Sequence, residues 1–260
     1  MGDDIKIVAV IPAHLASVRF PRKILFPFHG LPMIEHVRRR ALLSDAISDV
    51  VVATCDEEIA DAVRGFGGTV IMTNNTHKNG TTRVAQAIET IECTHTILLQ
   101  GDEPLLLPRH LDVLAGAIEA HPERDSWNAT GPIEHEEELD RHSFVKCAVS
   151  ATGSIMYCFR RSPCFSDFNV QQTFIRKILG LIAYRKDFLL ELTTLPIAKV
   201  EAAELIEQMR IIENGFNLTS VPVSPSLPSV NEPEESEIVL NYILNNDEQR
   251  ALLDQILLQS

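Results

Sequence analysis

The sequence is short of basic charge and lacks several patterns that mark other classes of protein. Its formal net charge is −13, which argues against binding nucleic acid through the phosphates, because that requires a basic surface. No apolar run approaches the roughly 18 residues of a membrane span, and the first residues do not read as a secretory leader. The five cysteines never form a CxxC pair, which argues against a zinc ribbon or a disulfide framework. We therefore expect a soluble, cytoplasmic protein in a reducing compartment, without a membrane segment.

Signatures of zinc enzymes and of covalent nucleophiles are also missing. The nine histidines form no HxH or HExxH pattern, and there is no GxSxG segment. The glycine-rich loops of Walker A and dinucleotide-binding proteins are absent as well. The residues that carry chemistry must then be sought in the loops that follow the predicted strands.

Short apolar runs alternate with helical periodicity over the first 125 residues. The runs predict strands at 7–11, 50–54, 69–73 and 97–99, and apolar residues at helical spacing predict helices between them, the first after Pro32. This order predicts an α/β fold with a doubly wound, mostly parallel sheet. In such sheets ligands bind beyond the carboxyl ends of the strands.

The pattern changes after residue 125. Runs at 144–149 and 155–159 predict an antiparallel hairpin that turns around 151–153, and a further strand is predicted at 178–184. A single helix is predicted at 200–213, closed by Asn214 and Gly215, with a loop near 222–233. We therefore divide the chain into an α/β half (1–125), a smaller β-rich part (126–199) and C-terminal helices that return to the main domain (200–260).

The loop after the first strand is rich in cations. It reads IPAHLASVRFPRK from Ile11 to Lys23. A nucleoside triphosphate needs positive charge and backbone N–H groups at its phosphates, and this loop can supply both through Ser17, Arg19, Arg22 and Lys23. Taken alone, the segment also fits a surface loop with scattered charge.

A carboxylate follows the strand at 97–99, in the segment LQGDEP at 99–104. Asp102 at the carboxyl end of a central strand could hold Mg²⁺ against phosphate oxygens, and Gly101 allows the backbone to approach closely. An ordinary strand-to-loop turn is the alternative. The cationic loop on the neighbouring strand favours the metal site.

The segment NGTTR at 79–83 begins a predicted helix. Its backbone amides and Arg83 could read the edge of a base. The alternative is that Thr81 is a plain helix N-cap.

Together these segments resemble the CMP-Kdo synthetases, or 3-deoxy-manno-octulosonate cytidylyltransferases, whose first loop reads roughly I-P-A-R-x-x-S-x-R-x-P-x-K. Kdo denotes 3-deoxy-manno-octulosonate. The match covers the first loop, 30–34, 52–54, 80–83 and 100–104, and it is thinner between 145 and 180. It returns at Glu201, Glu204 and Arg210 and ends at 230–234, where VNEPE stands for the family's VDTPE.

The resemblance implies a Mg²⁺-dependent transfer of CMP from CTP to the anomeric hydroxyl of an acidic sugar, with pyrophosphate as the leaving group. It assigns catalytic roles to Arg19, Lys23 and Asp102, and Mg²⁺ binding to Asp102 and Asn231. The implied nucleotide site consists of Pro12, Ala13, His14, Ser17, Lys23, Asn79, Gly80, Thr81, Arg83 and Gln100. The implied acceptor side consists of Gln100, Arg160, Glu201 and Glu204. The resemblance also implies a homodimer formed through the β-rich part.

The sequence departs from the family at several of these positions. His14 stands for an Arg, Cys55 for an Asp, Asn79 for a Ser, Asn231 for an Asp, and Ile178 and Ile182 for a His and a Tyr. Because the two isoleucines cannot pair with sugar hydroxyls, we expect Kdo to be used less well than an acid with fewer hydroxyls or a different tail. Activation of another acid, such as a phosphonate, and a nucleotide-binding paralogue without turnover are the alternatives.

Overall fold

The computed structural model describes residues 5–17 and 19–259. Contacts between residues divide the chain into two compact units, Met1–Asp112 with Leu227–Ser260, and Val113–Ser226. These limits differ from the sequence-derived ones at 125 and 199, because residues 113–125 and 200–226 belong to the second unit and the return to the first begins at Leu227.

Strands and helices alternate along the chain. The strands are β1 (Ile7–Ala13), β2 (Pro27–Phe28), β3 (Leu31–Pro32), β4 (Asp49–Thr54), β5 (Thr69–Met72), β6 (His95–Leu99), β7 (Ser126–Gly131), β8 (Lys146–Val149), β9 (Ile155–Phe159), β10 (Ile175–Arg185) and β11 (Leu218–Pro222). The helices are α1 (Met33–Ala41), α2 (Glu57–Gly65), α3 (Gly80–Ile88), α4 (Pro108–Ala120), α5 (Phe168–Gln171), α6 (Lys186–Thr194), α7 (Lys199–Glu204), α8 (Gln208–Glu213), α9 (Pro233–Asn245) and α10 (Asp247–Leu257). Single 3-10 turns lie at Lys23–Leu25 and Glu136–Leu139.

The first unit is built on four parallel strands in the order β6-β1-β4-β5. Every residue of β1 is buried, as expected for the continuous apolar run of a strand covered on both faces. β1 lies between β6 and β4, with Ile7 opposite His95 and Val8 opposite Asp49. The segments that leave β1, β4 and β6 therefore emerge at one edge of the sheet.

The last helices of the chain pack in the first unit. Val239 and Ile243 of α9 and Ile256 of α10 share a buried apolar cluster with Phe28 and Met33. The buried Arg40 of α1 also donates from Nη1 to Gln249 Oε1 of α10 at 2.7 Å. The C-terminal segment therefore completes the core beside α1.

The strands of the second unit pair in both directions. β11 and β7 are parallel, whereas the pairs β7–β10, β10–β8 and β8–β9 are antiparallel. The predicted hairpin is present as β8 and β9. The predicted fold class, α/β with a mostly parallel sheet and a smaller antiparallel part, is confirmed.

The prediction of one helix over 200–213 is wrong. Two short helices, α7 and α8, occupy this stretch, and Leu205 between them has a left-handed backbone with φ of 55°. That conformation cannot continue an α-helix. Arg160 bonds the carbonyls freed by the break, with its Nε 3.0 Å from the Glu204 oxygen and its Nη2 3.3 Å from the Leu205 oxygen.

None of the helices in the described parts of the chain combines the length and the apolar character that crossing a membrane requires.

Candidate functional site

A pocket of about 540 Å³ lies in the first unit at the carboxyl ends of its strands. Residues that follow β1, β4, β5 and β6 line it, because parallel strands deliver their following loops to the same edge. The sequence-predicted residues in its lining are Pro12, Ala13, His14, Ser17, Arg19, Lys23, Asn79, Gly80, Arg83, Gln100 and Asp102. The structure thus brings most of the predicted nucleotide site together.

The pocket is locally cationic in an acidic chain. Its fixed charges are Arg19, Lys23, Lys78, Arg83, Asp56 and Asp102, so basic groups outnumber acidic ones. Arg19 is exposed and pairs with no described carboxylate. A concave surface with excess positive charge favours an anionic ligand.

The first loop is held in place by backbone contacts. The Leu15 N–H donates to Asp56 Oδ2 at 2.8 Å, which ties the loop to the start of α2. Ser17 Oγ accepts a weaker bond from the Phe20 N–H at 3.4 Å. Arg22, which the sequence grouped with this loop, does not line the pocket, and its Nη1 donates to Glu58 at 2.8 Å.

An ion pair lies where two of the predicted catalytic residues meet. Lys23 Nζ is 2.5 Å from Asp102 Oδ2, and it also donates to the Val230 carbonyl at 3.0 Å. The Val230 N–H in turn donates to the Asp102 backbone oxygen at 3.0 Å. These contacts fix the Lys23 ammonium beside the carboxylate and join the chain after β6 to the C-terminal segment.

Asp102 fits a metal that is shared with a ligand. No cluster of three or more His, Cys, Asp or Glu side chains in the described ranges could hold a metal alone. Mg²⁺, however, is commonly held by one or two carboxylates together with substrate phosphates. The second carboxylate oxygen, Oδ1, accepts no hydrogen bond from any residue described. The chemistry of this donor fits Mg²⁺ completed by phosphate oxygens.

Asn231, the other predicted metal ligand, is not among the residues that line the pocket. It directly follows Val230, which bonds both Lys23 and Asp102. Its own N–H donates to Glu235 at 2.6 Å, and its Nδ2 donates to Ser229 Oγ at 3.1 Å. Asn231 therefore lies beside the ion pair in the chain, with its amide group already donating to a neighbour.

The start of α3 forms another part of the pocket wall. The N-cap is Asn79, whose Oδ1 accepts from the Thr82 N–H at 3.0 Å, so the alternative that Thr81 is the cap is wrong. Thr81 is buried in the first turn and does not line the pocket. Arg83 is buried, and its Nη1 donates to Thr73 Oγ1 at 2.6 Å.

The chain passes very close to this wall at two glycines. A Cβ at Gly101 would lie 2.9 Å from Ile24 Cδ1, and one at Gly80 would lie 3.1 Å from Pro12 Cγ. Both separations are shorter than ordinary carbon–carbon contacts. The absence of side chains at these positions therefore leaves room for Ile24 and Pro12 at the pocket wall.

His14 follows β1 directly, lines the pocket and remains exposed to solvent. Partial removal of its ring from water lowers its pKa below the usual value of 6.5, and the charge of Arg83 lowers it further. Asp56 opposes this effect, and Lys23 adds a smaller lowering. The ring is thus held towards its neutral form in the free pocket.

Sequence reasoning missed several lining residues. They are Ala16, Ile24, Asp56, Asn75, His77 and Lys78, together with Cys55 and Gly101, which had been noticed without being assigned to the site. Asp56 and the stretch 75–78 follow β4 and β5. The rule that ligands bind at the carboxyl ends of parallel strands would have found them.

The residues predicted for the acceptor side lie in the second unit, apart from Gln100. The Glu201 carboxylate accepts from Arg210 Nη2 at 2.5 Å and from its Nε at 2.8 Å. Arg160 and Glu204 meet through the hydrogen bond from the guanidinium to the Glu204 carbonyl. Neither these two residues nor Glu201 is among the described residues that line the pocket. That these residues bind the acceptor stays a prediction.

Comparison with known proteins identifies the family. A family model described as cytidylyltransferase matches residues 8–221. The chain is 36% identical over 249 residues to a 3-deoxy-manno-octulosonate cytidylyltransferase of Geobacter metallireducens, covering 92% of this chain and 98% of that protein. It is 35% identical over 237 residues to an 8-amino-3,8-dideoxy-manno-octulosonate cytidylyltransferase of Shewanella piezotolerans, covering 89% and 96%.

Solved structures agree with this result. A CMP:2-keto-3-deoxy-manno-octonic acid synthetase complexed with CTP matches with a TM-score of 0.86 and 35% identity, covering 92% of this chain and 98% of that one. A 4-diphosphocytidyl-2C-methyl-D-erythritol synthase of Anaerococcus prevotii matches at a TM-score of 0.62 but only 11% identity, which shows the fold alone. The chain therefore belongs to the cytidylyltransferases and, within them, to the CMP-Kdo synthetase family that its motifs resemble.

Proposed function

We propose that this chain is an enzyme that transfers CMP from CTP to the anomeric hydroxyl of Kdo or a closely related eight-carbon acid and releases pyrophosphate. One observation carries the proposal. In an acidic chain, the strand ends of the first unit bring Arg19, Lys23, Arg83 and the carboxylate of Asp102 into the lining of one pocket. The relatives that match this chain over about nine-tenths of its length bear the names of cytidylyltransferases.

The reaction needs alignment and charge neutralisation more than covalent help from the protein. Arg19 and Lys23 neutralise the triphosphate, and the N–H groups at the start of α3 together with Arg83 hold the cytosine end. The anomeric hydroxyl oxygen attacks the α-phosphorus and gives up its proton to solvent, the bond from the α-phosphorus to the bridging oxygen breaks, and pyrophosphate leaves. Lys23 is held by Asp102 and the Val230 carbonyl, and it is positioned to offset negative charge on the phosphates.

Mg²⁺ is the cofactor that the donor set supports. Asp102 would hold the ion, and the amide oxygen of Asn231 is the second ligand we propose, since the Asn231 Nδ2 is the group that bonds Ser229. A neutral amide oxygen is a weaker ligand than a carboxylate. When bound, the ion supplies neutralisation of the phosphate oxygens.

Two related acids are candidates for the acceptor. The chain is about as similar to the enzyme named for the 8-amino acid as to those named for Kdo, at 35% and 36% identity. On β10, Ile178 is half-buried and Ile182 is buried, and neither side chain can pair with a hydroxyl. We therefore propose an eight-carbon acid with an altered tail as the second candidate, consistent with poorer use of Kdo itself.

We further propose a cytoplasmic homodimer that contacts its copy through the β-rich part. Met156, Tyr157, Phe165 and Val170 are exposed apolar side chains of the second unit, and covering them would support association. None of the five cysteines, all of which the structure describes, forms a disulfide, which fits a reducing compartment. Light scattering after size exclusion would give twice the chain mass of 29.0 kDa if the dimer forms, and the single mass if it does not.

Pyrophosphate release tests the proposed function. Purified protein is incubated with Mg²⁺, each of CTP, UTP, ATP and GTP, and a panel containing Kdo, its 8-amino analogue, a sialic acid and a carboxylated phosphonate. We expect release with CTP and an eight-carbon acid, and little with purine nucleotides. If pyrophosphate is released from CTP only with the phosphonate, the phosphonate is the acceptor and the sugar acids are excluded. No release with any pair, despite CTP binding, would favour a nucleotide-binding paralogue.

A further inference from the structure

His14 is a titratable side chain that directly faces the space assigned to the nucleotide. It follows the last residue of β1, and it lines the same pocket as Ser17, Arg19 and Lys23. No hydrogen bond joins its ring to any residue in the described part of the chain, and the ring is exposed to solvent. Both ring nitrogens are therefore available to a ligand.

The groups that act on His14 come from each element around it. Arg83 belongs to α3, Asp56 precedes α2, and Lys23 begins the 3-10 turn after the first loop. Asp56 and Lys23 already hold other partners, since Asp56 accepts from the Leu15 N–H and Lys23 donates to Asp102. In the free pocket, burial and the two cations outweigh the single carboxylate, so the neutral imidazole is favoured.

We infer that His14 takes up a proton when the phosphates of a nucleotide enter the pocket, so that nucleotide affinity rises as the pH falls through the neutral range. This inference rests on the proposed function and adds a proton to the binding step. Phosphate oxygens bring negative charge next to the ring, and an imidazolium can donate from either nitrogen where a neutral imidazole donates from only one. A guanidinium at the same position would be charged at every physiological pH.

The sign and size of the effect follow from linkage. The pKa of His14 in the free pocket lies below 6.5, and an opposite charge within about 4–6 Å raises a pKa by about 1 to 3 units. The added affinity is fully present below the pKa of the free pocket and is lost as the pH rises through the pKa of the complex. One unit of pKa corresponds to about tenfold in affinity. We therefore expect CTP affinity to fall about tenfold between pH 6 and pH 8 because of His14.

Isothermal titration of CTP with Mg²⁺ tests the inference directly. Each titration is run at pH 7 in two buffers with different ionisation enthalpies, which gives the number of protons taken up. We expect about half a proton or more per CTP bound to the wild-type chain. His14→Gln and His14→Arg, which cannot titrate in this range, should lose that uptake while still binding CTP. Protons exchanged by CTP itself are common to all three proteins and cancel in the comparison.

The pH dependence of the dissociation constant gives a second signature. The wild-type chain should approach the affinity of His14→Arg at pH 6 and that of His14→Gln at pH 8. His77 lines the same pocket, but its Nε2 is bonded to Gln86 Oε1 at 2.6 Å. His77→Gln is therefore the matched control and should keep the proton uptake.

The outcomes separate the inference from the proposed function. Proton uptake equal in the wild-type chain and His14→Gln would overturn the role of His14 and leave CTP binding intact. Loss of the uptake in His77→Gln but not in His14→Gln would move the role to His77. A chain that binds no CTP at any pH would overturn both proposals.

Discussion

Replacing Glu201 by Gln removes the charge from one partner of a buried ion pair in the second unit. Both side chains are only 8% exposed. Glu201 Oε2 accepts from Arg210 Nε at 2.8 Å and from the Ala198 N–H at 3.0 Å, while Oε1 accepts from Arg210 Nη2 at 2.5 Å. Whichever way a Gln amide is turned, its NH₂ group faces an N–H donor. The buried Arg210 charge then loses the carboxylate that bonds it and keeps only the weaker electrostatic attraction of Glu207.

The expected cost is that of breaking a buried pair from one side, about 3 to 5 kcal/mol. For a protein of this size such a loss lowers Tm by roughly 10 °C. Trp127 is the only tryptophan of the chain and is fully buried in β7, within the same unit as the ion pair. Its fluorescence during urea unfolding therefore reports on the unit in which the damage occurs.

Glu204→Gln is the matched control. Glu204 ends the same helix, and its carboxylate bonds no residue of the described chain, so its replacement should change the unfolding free energy by less than about 0.5 kcal/mol. If Glu201 instead serves mainly to bind the acceptor, as the resemblance implies, Glu201→Gln should unfold at the wild-type urea concentration and show a raised KM for the acid. That result would refute the structural reasoning.

Three further predictions concern catalysis, nucleotide binding and pH stability. Asp102→Asn should reduce the rate of pyrophosphate release about a thousandfold or more, since several kcal/mol of charge stabilisation is lost. A near-normal rate in a variant with a wild-type circular dichroism spectrum would show that Asp102 has no role in the mechanism. Arg83→Ala should raise the calorimetric Kd for CTP about 10- to 100-fold, because a charged hydrogen bond is worth about 1.5–3 kcal/mol. Arg64→Ala, on the exposed face of α2, should leave the Kd unchanged. Equal Kd values for the two variants would contradict the assignment of Arg83 to the nucleotide. Burial lowers the pKa of His36 to about 4, so between about pH 6.5 and 4 the unfolded chain binds a proton that the folded chain does not. The unfolding free energy should therefore fall by about 3 kcal/mol over this range through His36 in the wild-type chain, and His36→Gln should lack this loss. If the urea midpoint falls by the same amount in both proteins between pH 7 and pH 4.5, the prediction is disproved.

Much of the first unit could be predicted because its signals are local. The apolar run at 7–11 becomes β1, and Pro32 stands at the N-cap of α1. The pocket followed from topology, since residues after neighbouring parallel strands must meet. This topology predicts that the cationic loop lies next to Asp102, and Lys23 of that loop contacts Asp102 at 2.5 Å.

The second unit was less predictable because its features depend on distant residues. β7 reads SWNATG, is buried throughout and pairs with β10 and β11. Its polar residues do not form the apolar run from which a buried strand is predicted. The break at Leu205 carries no glycine signal, and its carbonyls are bonded by Arg160, 45 residues away in the sequence. The partner of Glu201 likewise depends on how α7 and α8 fold against each other.

The fate of the anomeric oxygen tests the central claim most directly. Kdo exchanged in H₂¹⁸O carries the label at its anomeric oxygen, and the reaction with CTP and Mg²⁺ is followed by ³¹P NMR and mass spectrometry. Attack of that oxygen on the α-phosphorus predicts a CMP-sugar that retains ¹⁸O in the bridge and pyrophosphate that is unlabelled. Formation of no CMP-sugar from Kdo or its 8-amino analogue, or of an unlabelled product, would contradict the account.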